Sequence, residues 1–205
     1  MFRERKTALY QPFVIRQRAL RHTPFGKMPA NRKPDLIVRR RPGRQPWRGL
    51  LLVGGSAYAC NLGKTGVTVR KCEADGATPA ARMSILGGYR KPGAYPLAPH
   101  LHRLRIADAQ IGWCDEPRHA NYNRAVKLPL KASHENLLRA DRLYDICLVL
   151  DWNYLQRARN RGSAIFMHLT NANNGPTKGC IAIEPALMRR LLPKLLTGIS
   201  IRVLP

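Results

Sequence analysis

The sequence runs to 205 residues, enough for one domain with a buried core, and 44% of them are hydrophobic. Lys and Arg outnumber Asp and Glu by 36 to 12, a formal charge of +24. That balance excludes an acidic protein and favours contact with polyanions: nucleic acid, an anionic membrane face or an anionic cell-wall polymer. No apolar run is long enough for a membrane-spanning helix, and five cysteines with no Cys-x-x-Cys spacing exclude a zinc ribbon and a dithiol redox motif.

Residues 1–33 carry nine basic side chains against Glu4 and read as a solvated, flexible N-terminal extension. A secretory signal needs an unbroken apolar core of about 7–15 residues. The best stretch, Ala8 to Ile15, is interrupted by Gln11 and Pro12 and followed at once by Arg16. The expected location is therefore the cytoplasm, or the periplasm and cell wall if the start site or export route differs.

From Leu36 the pattern turns to β. Leu36–Arg39, Gly49–Val53, Tyr58–Leu62 and Val67–Arg70 are short apolar runs separated by Gly-rich turns, the signature of a β-meander. Gly63-Lys64-Thr65-Gly66 lacks phosphate-loop spacing and reads as a hairpin turn. Asp75-Gly76 and Thr78-Pro79 form a further turn. Tyr95–Leu97 and Leu101–Ile106 are strand candidates, with His100 and His102 alternating to the solvent side.

Residues 112–136 are polar and without periodicity, as expected of a functional loop or lid, with Tyr122 and His134 as substrate-contacting candidates. Cys114, His119 and His134 lack regular metal-ligand spacing, so no metal is expected. Leu143–Asp151 is apolar nearly throughout and reads as a central strand with Cys147 in the core. Arg157–Arg161 is a basic turn. Near the C-terminus, Glu184-Pro185 opens a short helix with Leu187, Met188, Leu191 and Leu192 on one face, broken or kinked by Pro193. Ile199–Val203 alternates as a closing strand.

The chemistry concentrates in residues 162–183. Ala164–Met167 is a short apolar strand with His168 at its end. Asn171, Asn173, Asn174, Gly175 and Pro176 favour a chain reversal, and Cys180 then precedes the run Ile181–Ile183. A hairpin-like return brings the thiol toward the imidazole, the minimum equipment of a cysteine nucleophile, because the imidazole can accept the thiol proton or stabilise the thiolate. Gly179 leaves room for a substrate carbonyl, and backbone N–H groups at Gly179 and Cys180 suit an oxyanion. The plain alternative is a small hydrophobic Cys beside a structural His.

Phe166-Met167-His168-Leu169-Thr170 and Thr177-Lys178-Gly179-Cys180-Ile181-Ala182-Ile183 resemble the signature of the L,D-transpeptidase catalytic domain (YkuD-type) family. That pattern runs His-Gly-Thr, a loop, then Ser-x-Gly-Cys-Ile-Arg. Asp75 to Ala80 resembles its Gly-Asp-x-x-Thr-Pro element, and 112–136 is similar to a cap found in one bacterial subgroup. The resemblance implies Cys180 as nucleophile, His168 as base, the Leu169 carbonyl as the group that orients the imidazole, and Gly179 beside the oxyanion. Thr177 replaces Ser, Leu169 replaces Gly and the loop is shorter. Ala182 replaces Arg, which leaves Arg161, Lys178 or Arg124 to supply positive charge. Thr177, Lys178 and Arg161 join Tyr122 and His134 as substrate-contacting candidates.

The implied fold is a mostly β, YkuD-type β-sandwich with one or two short helices over residues 34–205. The implied activity is acyl transfer on peptidoglycan stem peptides without a cofactor, releasing terminal D-Ala and forming cross-links through the third residue. Two alternatives stay open at this point: a cytosolic L,D-carboxypeptidase that trims stem tetrapeptides, and a basic nucleic-acid-binding protein. The latter is disfavoured by the lack of a binding motif with stacking aromatics.

Overall fold

The structure, a computed structural model, describes residues 36–94, 101, 103–170, 173–196 and 199–205. The N-terminal extension, the Tyr95–Leu97 strand candidate, His100 and His102 lie outside the described residues. Among those described, the chain is mostly β with one helix.

Leu36–Arg40 (β1), Arg48–Val53 (β2) and Ser56–Asn61 (β3) form the expected antiparallel meander. The run after Gly63–Gly66 does not return along β3. Gly66 N–H closes the turn on Gly63 O at 2.7 Å. Val67–Thr68 (β4) then leaves the meander to pair in parallel with Thr78–Pro79 (β5), so this turn joins two sheets rather than two hairpin strands. Arg82–Arg90 (β6), which the sequence reading left unassigned, is the longest strand among the described residues. Among the described residues of the run Leu101–Ile106, only Arg105–Ile106 (β7) form a strand.

The polar stretch 112–136 is not an irregular loop. Ile111–Cys114 (β8), Arg124–Lys127 (β9) and His134–Asn136 (β10) make a three-stranded antiparallel sheet in the order β10-β8-β9. Its strands are three or four residues long, and the burial of Trp113 depends on partners from elsewhere in the chain. Neither property leaves a local pattern.

Ile146–Leu150 (β11), Phe166–Leu169 (β12) and Ile181–Ile183 (β13) are buried at every position. Ser200–Val203 (β14) closes the main sheet, whose order is β11-β12-β13-β3-β2-β1-β14-β6-β7. Because β6 also pairs with β11, the sheet closes on itself. Side chains alternate across a strand, so each strand contributes to two faces. Met167, Leu169, Ile181 and Ile183 face a large interior core with Leu148, Leu51 and Ile201. Phe166, Cys180 and Cys147 belong to a second cluster with Trp113 and Tyr144. Phe166 sits edge-on to Trp113 (ring centroids 5.3 Å apart) and to Tyr144 (5.9 Å).

Pro185–Leu195 (α1) begins with the expected proline, and Leu187, Met188, Leu191, Leu192 and Leu195 join the interior core. Pro193 does not end the helix. It sits on the exposed side, where a missing N–H is tolerated, while Leu192 and Leu195 hold the last turn to the core.

Candidate active site

The strand bearing His168 (β12) and the strand that Cys180 leads into (β13) run parallel, not as a hairpin. Met167 is level with Ile181, and His168 with Ala182. The connecting segment returns to the start of β12 because Thr177 is tied to the exit of β3: its N–H donates to Leu62 O at 2.9 Å, and its carbonyl accepts from Lys64 N–H at 2.9 Å. Cys180 therefore comes in beside Phe166. The Phe166 N–H points at Sγ (3.4 Å), and the thiol donates to Ala164 O (3.3 Å). His168 lies one step further along the same face, between Ala182 on β13 and Cys147 on β11.

Each group is fixed by its surroundings. His168 Nδ1 lies 2.8 Å from Leu169 O. A carbonyl only accepts, so Nδ1 carries the proton and Nε2 is the basic nitrogen. The Tyr144 ring stands 5.3 Å from the imidazole. Thr177 Oγ1 donates to Cys180 O (2.7 Å) and accepts from Gly179 N–H (3.1 Å); Thr78 Oγ1 adds a second, longer bond to Cys180 O (3.4 Å). Gly179 has φ +133°, and a Cβ there would lie 2.8 Å from Ala77 O. Glycine is thus demanded by the backbone and by Ala77 behind it, not by room for a substrate. Its N–H is already engaged by Thr177, which leaves the Cys180 N–H as the backbone donor next to the sulfur.

Burial governs the electrostatics. Cys180 is 8% exposed and His168 5%. Desolvation pushes the thiol up to about 12 and the imidazole down to about 4; the Phe166 N–H on the sulfur and the Leu169 carbonyl on the ring oppose these shifts without reversing them. At neutral pH the resting pair is a neutral thiol and a neutral imidazole.

Both side chains open on a cleft of about 570 Å³ that Thr170, Thr177, Lys178 and Ala182 also line. The sequence reading missed its acidic wall: Glu73, Asp115, Glu116 and Glu135 line it, faced by Arg139 and Lys178. The available signal was scarcity, since the chain has only 12 acidic residues. Arg139 is held by Glu135 (3.3 Å) and Asp141 and covers the Tyr144 ring (5.0 Å). Asp141 raises its pKa.

Tyr122, His134 and Arg161 lie away from the cleft lining. Tyr122 is buried and donates to Glu73, so it supports a wall residue from behind. His134 Nδ1 bonds Ala132 O at 2.8 Å, while its neighbours Ser133 and Glu135 face the cleft. Arg161 lines a different groove beside Trp152. Arg124 covers Tyr154 at 3.8 Å. Of the basic residues named for the charge missing at Ala182, Lys178 reaches the cleft. Cys114 pairs with His134 across β8 and β10, but among the described residues no group of three or more His, Cys, Asp or Glu is placed to hold a metal.

A family model of the L,D-transpeptidase catalytic domain (YkuD) matches residues 42–203. The chain belongs to this family. Comparisons with curated proteins and with solved structures give no match. The matched span of this L,D-transpeptidase-family domain takes in every strand from β2 to β14 and all the residues of the cleft.

Proposed function

We propose that the protein is a cysteine acyltransferase acting on peptidoglycan stem peptides, an L,D-transpeptidase that releases terminal D-Ala and forms cross-links through the third residue. The observation that carries this reading is that Cys180, immediately before β13, and His168, on the parallel neighbour β12, both open on the same cleft.

The thiol proton passes to His168 Nε2 as sulfur attacks the carbonyl carbon of the third residue. With the thiol near 12 and the imidazole near 4, transfer before attack is disfavoured, so proton and sulfur move together. The Cys180 N–H stabilises the tetrahedral oxyanion. Collapse breaks the amide, and His168 returns its proton to the leaving D-Ala amine. The acceptor amine then attacks the thioester, giving up a proton to His168, which restores the thiol as sulfur departs. The acidic wall supports a substrate bearing ammonium groups, as a diamino acid at the third position does, because a cleft with carboxylate walls concentrates cations.

The test is mass spectrometry of the products formed from a disaccharide-tetrapeptide, beside Cys180→Ala. The expected result is a dimer joined through third residues that disappears in the variant. Tripeptide alone identifies a carboxypeptidase, in which water replaces the acceptor amine. A folded protein giving no Cys180-dependent product overturns the reading.

A further inference from the structure

Asn123 is 2% exposed and uses its whole hydrogen-bonding capacity. Its Oδ1 accepts from Trp113 Nε1 (3.0 Å) and from Ala164 N–H (3.1 Å); its Nδ2 donates to the carbonyls of Trp152 and Asn153 (3.0 Å each). One side chain thereby joins β8, the turn after β11 and the residue that introduces β12. Ala164 has φ +51°, a left-handed conformation that costs a residue with a Cβ of order 1 kcal/mol and persists only where the surroundings enforce it. In that conformation its carbonyl accepts the Cys180 thiol proton.

We infer that Asn123 is a positioning residue for the nucleophile: it holds Ala164 left-handed, so that the Ala164 carbonyl fixes the direction of the Cys180 thiol. The chain of contacts is continuous, from Asn123 Oδ1 to the Ala164 amide, through the Ala164 backbone to its carbonyl, and from there to Sγ. The bond to Ala164 O favours the protonated sulfur, while the Phe166 N–H favours the thiolate. Release of Ala164 therefore makes the thiol more acidic and less well aimed. The inference rests on Cys180 being the nucleophile, but its first readout does not depend on the identity of the substrate.

Asn123 itself has φ +56°, so Asn123→Gly removes the side chain without adding backbone strain. In a folded variant, iodoacetamide alkylation at pH 8, resolved to the Cys180 peptide, rises about tenfold, the effect of one unit of acidity. Acyl transfer from disaccharide-tetrapeptide falls roughly tenfold to hundredfold in kcat with KM little changed. Adding Ala164→Gly, which lets residue 164 adopt positive φ unaided, returns both rates toward those of the unmodified protein. A purely structural role for Asn123 lowers the melting temperature without this correction at Cys180. Unchanged alkylation in Asn123→Gly, or no recovery in the double variant, overturns the inference. If acyl transfer is absent from every protein while alkylation behaves as described, the proposed activity fails and the positioning role stands. Hydrogen exchange on the unmodified protein is a second measurement that needs no variant. The Ala164 amide is expected to be as protected as the β12 core, and fast exchange there also overturns the assignment.

Discussion

The strands around Cys180 and His168 and the small sheet beside them differ in what holds them. Every residue of β11, β12 and β13 is buried, and their outer neighbours in the main sheet pin them from both sides. In the three-stranded sheet β9 and β10 are half exposed, and its hold on the rest includes Trp113 against Phe166 and the hydrogen bonds of Asn123. The first region positions the proposed nucleophile and base. The second supplies most of the acidic wall and the grip on Ala164. A rigid floor and a separately anchored side wall would allow substrate preference to change without disturbing the proposed nucleophile.

The largest expected effect tests the floor. His168→Gln keeps a donor for the Leu169 carbonyl but has no basic nitrogen, so acyl transfer measured in single turnover falls by roughly 10²–10⁴ while the melting temperature moves little. A loss below tenfold would remove His168 from the proton path. The next effect tests the wall: Trp113→Ala, in chemical denaturation, loses about 3–5 kcal/mol because the cavity opens against Phe166. A loss under about 1 kcal/mol would mean that the small sheet is anchored elsewhere.

The smallest of the three is a difference in pH dependence. The unfolded chain protonates its imidazole near pH 6.5, but the folded protein resists until about pH 4. The unfolded state binds more protons in that window, so stability falls as pH drops through it, by up to about 3 kcal/mol from this residue. Denaturation curves at pH 7 and pH 4 for the unmodified protein and His168→Gln isolate that share, since other carboxylates titrate in both. Equal pH dependence would show that water reaches the imidazole in the folded state.

How much of this was legible in the sequence followed from how local each cause was. The mostly β class, the position of α1 and the element bearing Gly179 and Cys180 were read from short-range pattern. The parallel pairing of β12 with β13 was not, because it is decided by Thr177 binding at Leu62, more than a hundred residues earlier in the chain. β6 was missed because Gly87 and Gly88 interrupt its alternation. Gly88 is needed there, as a Cβ would fall 2.3 Å from Cys147 O. Asn123 lay unremarked in the polar stretch 112–136; its side chain acts on a residue 41 positions away. Glu135 and Arg139 drew no notice because exposed charge pairs of that spacing are common, and only the cleft gives these two a meaning.

The edge-on contact between Trp113 and Phe166 also makes the molecule its own optical reporter. Trp113 is 1% exposed and shares an apolar cluster with Cys180, whereas Trp47 and Trp152 are partly open to water. Its burial predicts emission toward the blue end of the tryptophan band, and a group placed on the sulfur is expected to alter that apolar cluster. If Cys180 is acylated as proposed, its loading is expected to register as a change in intrinsic fluorescence, without a label.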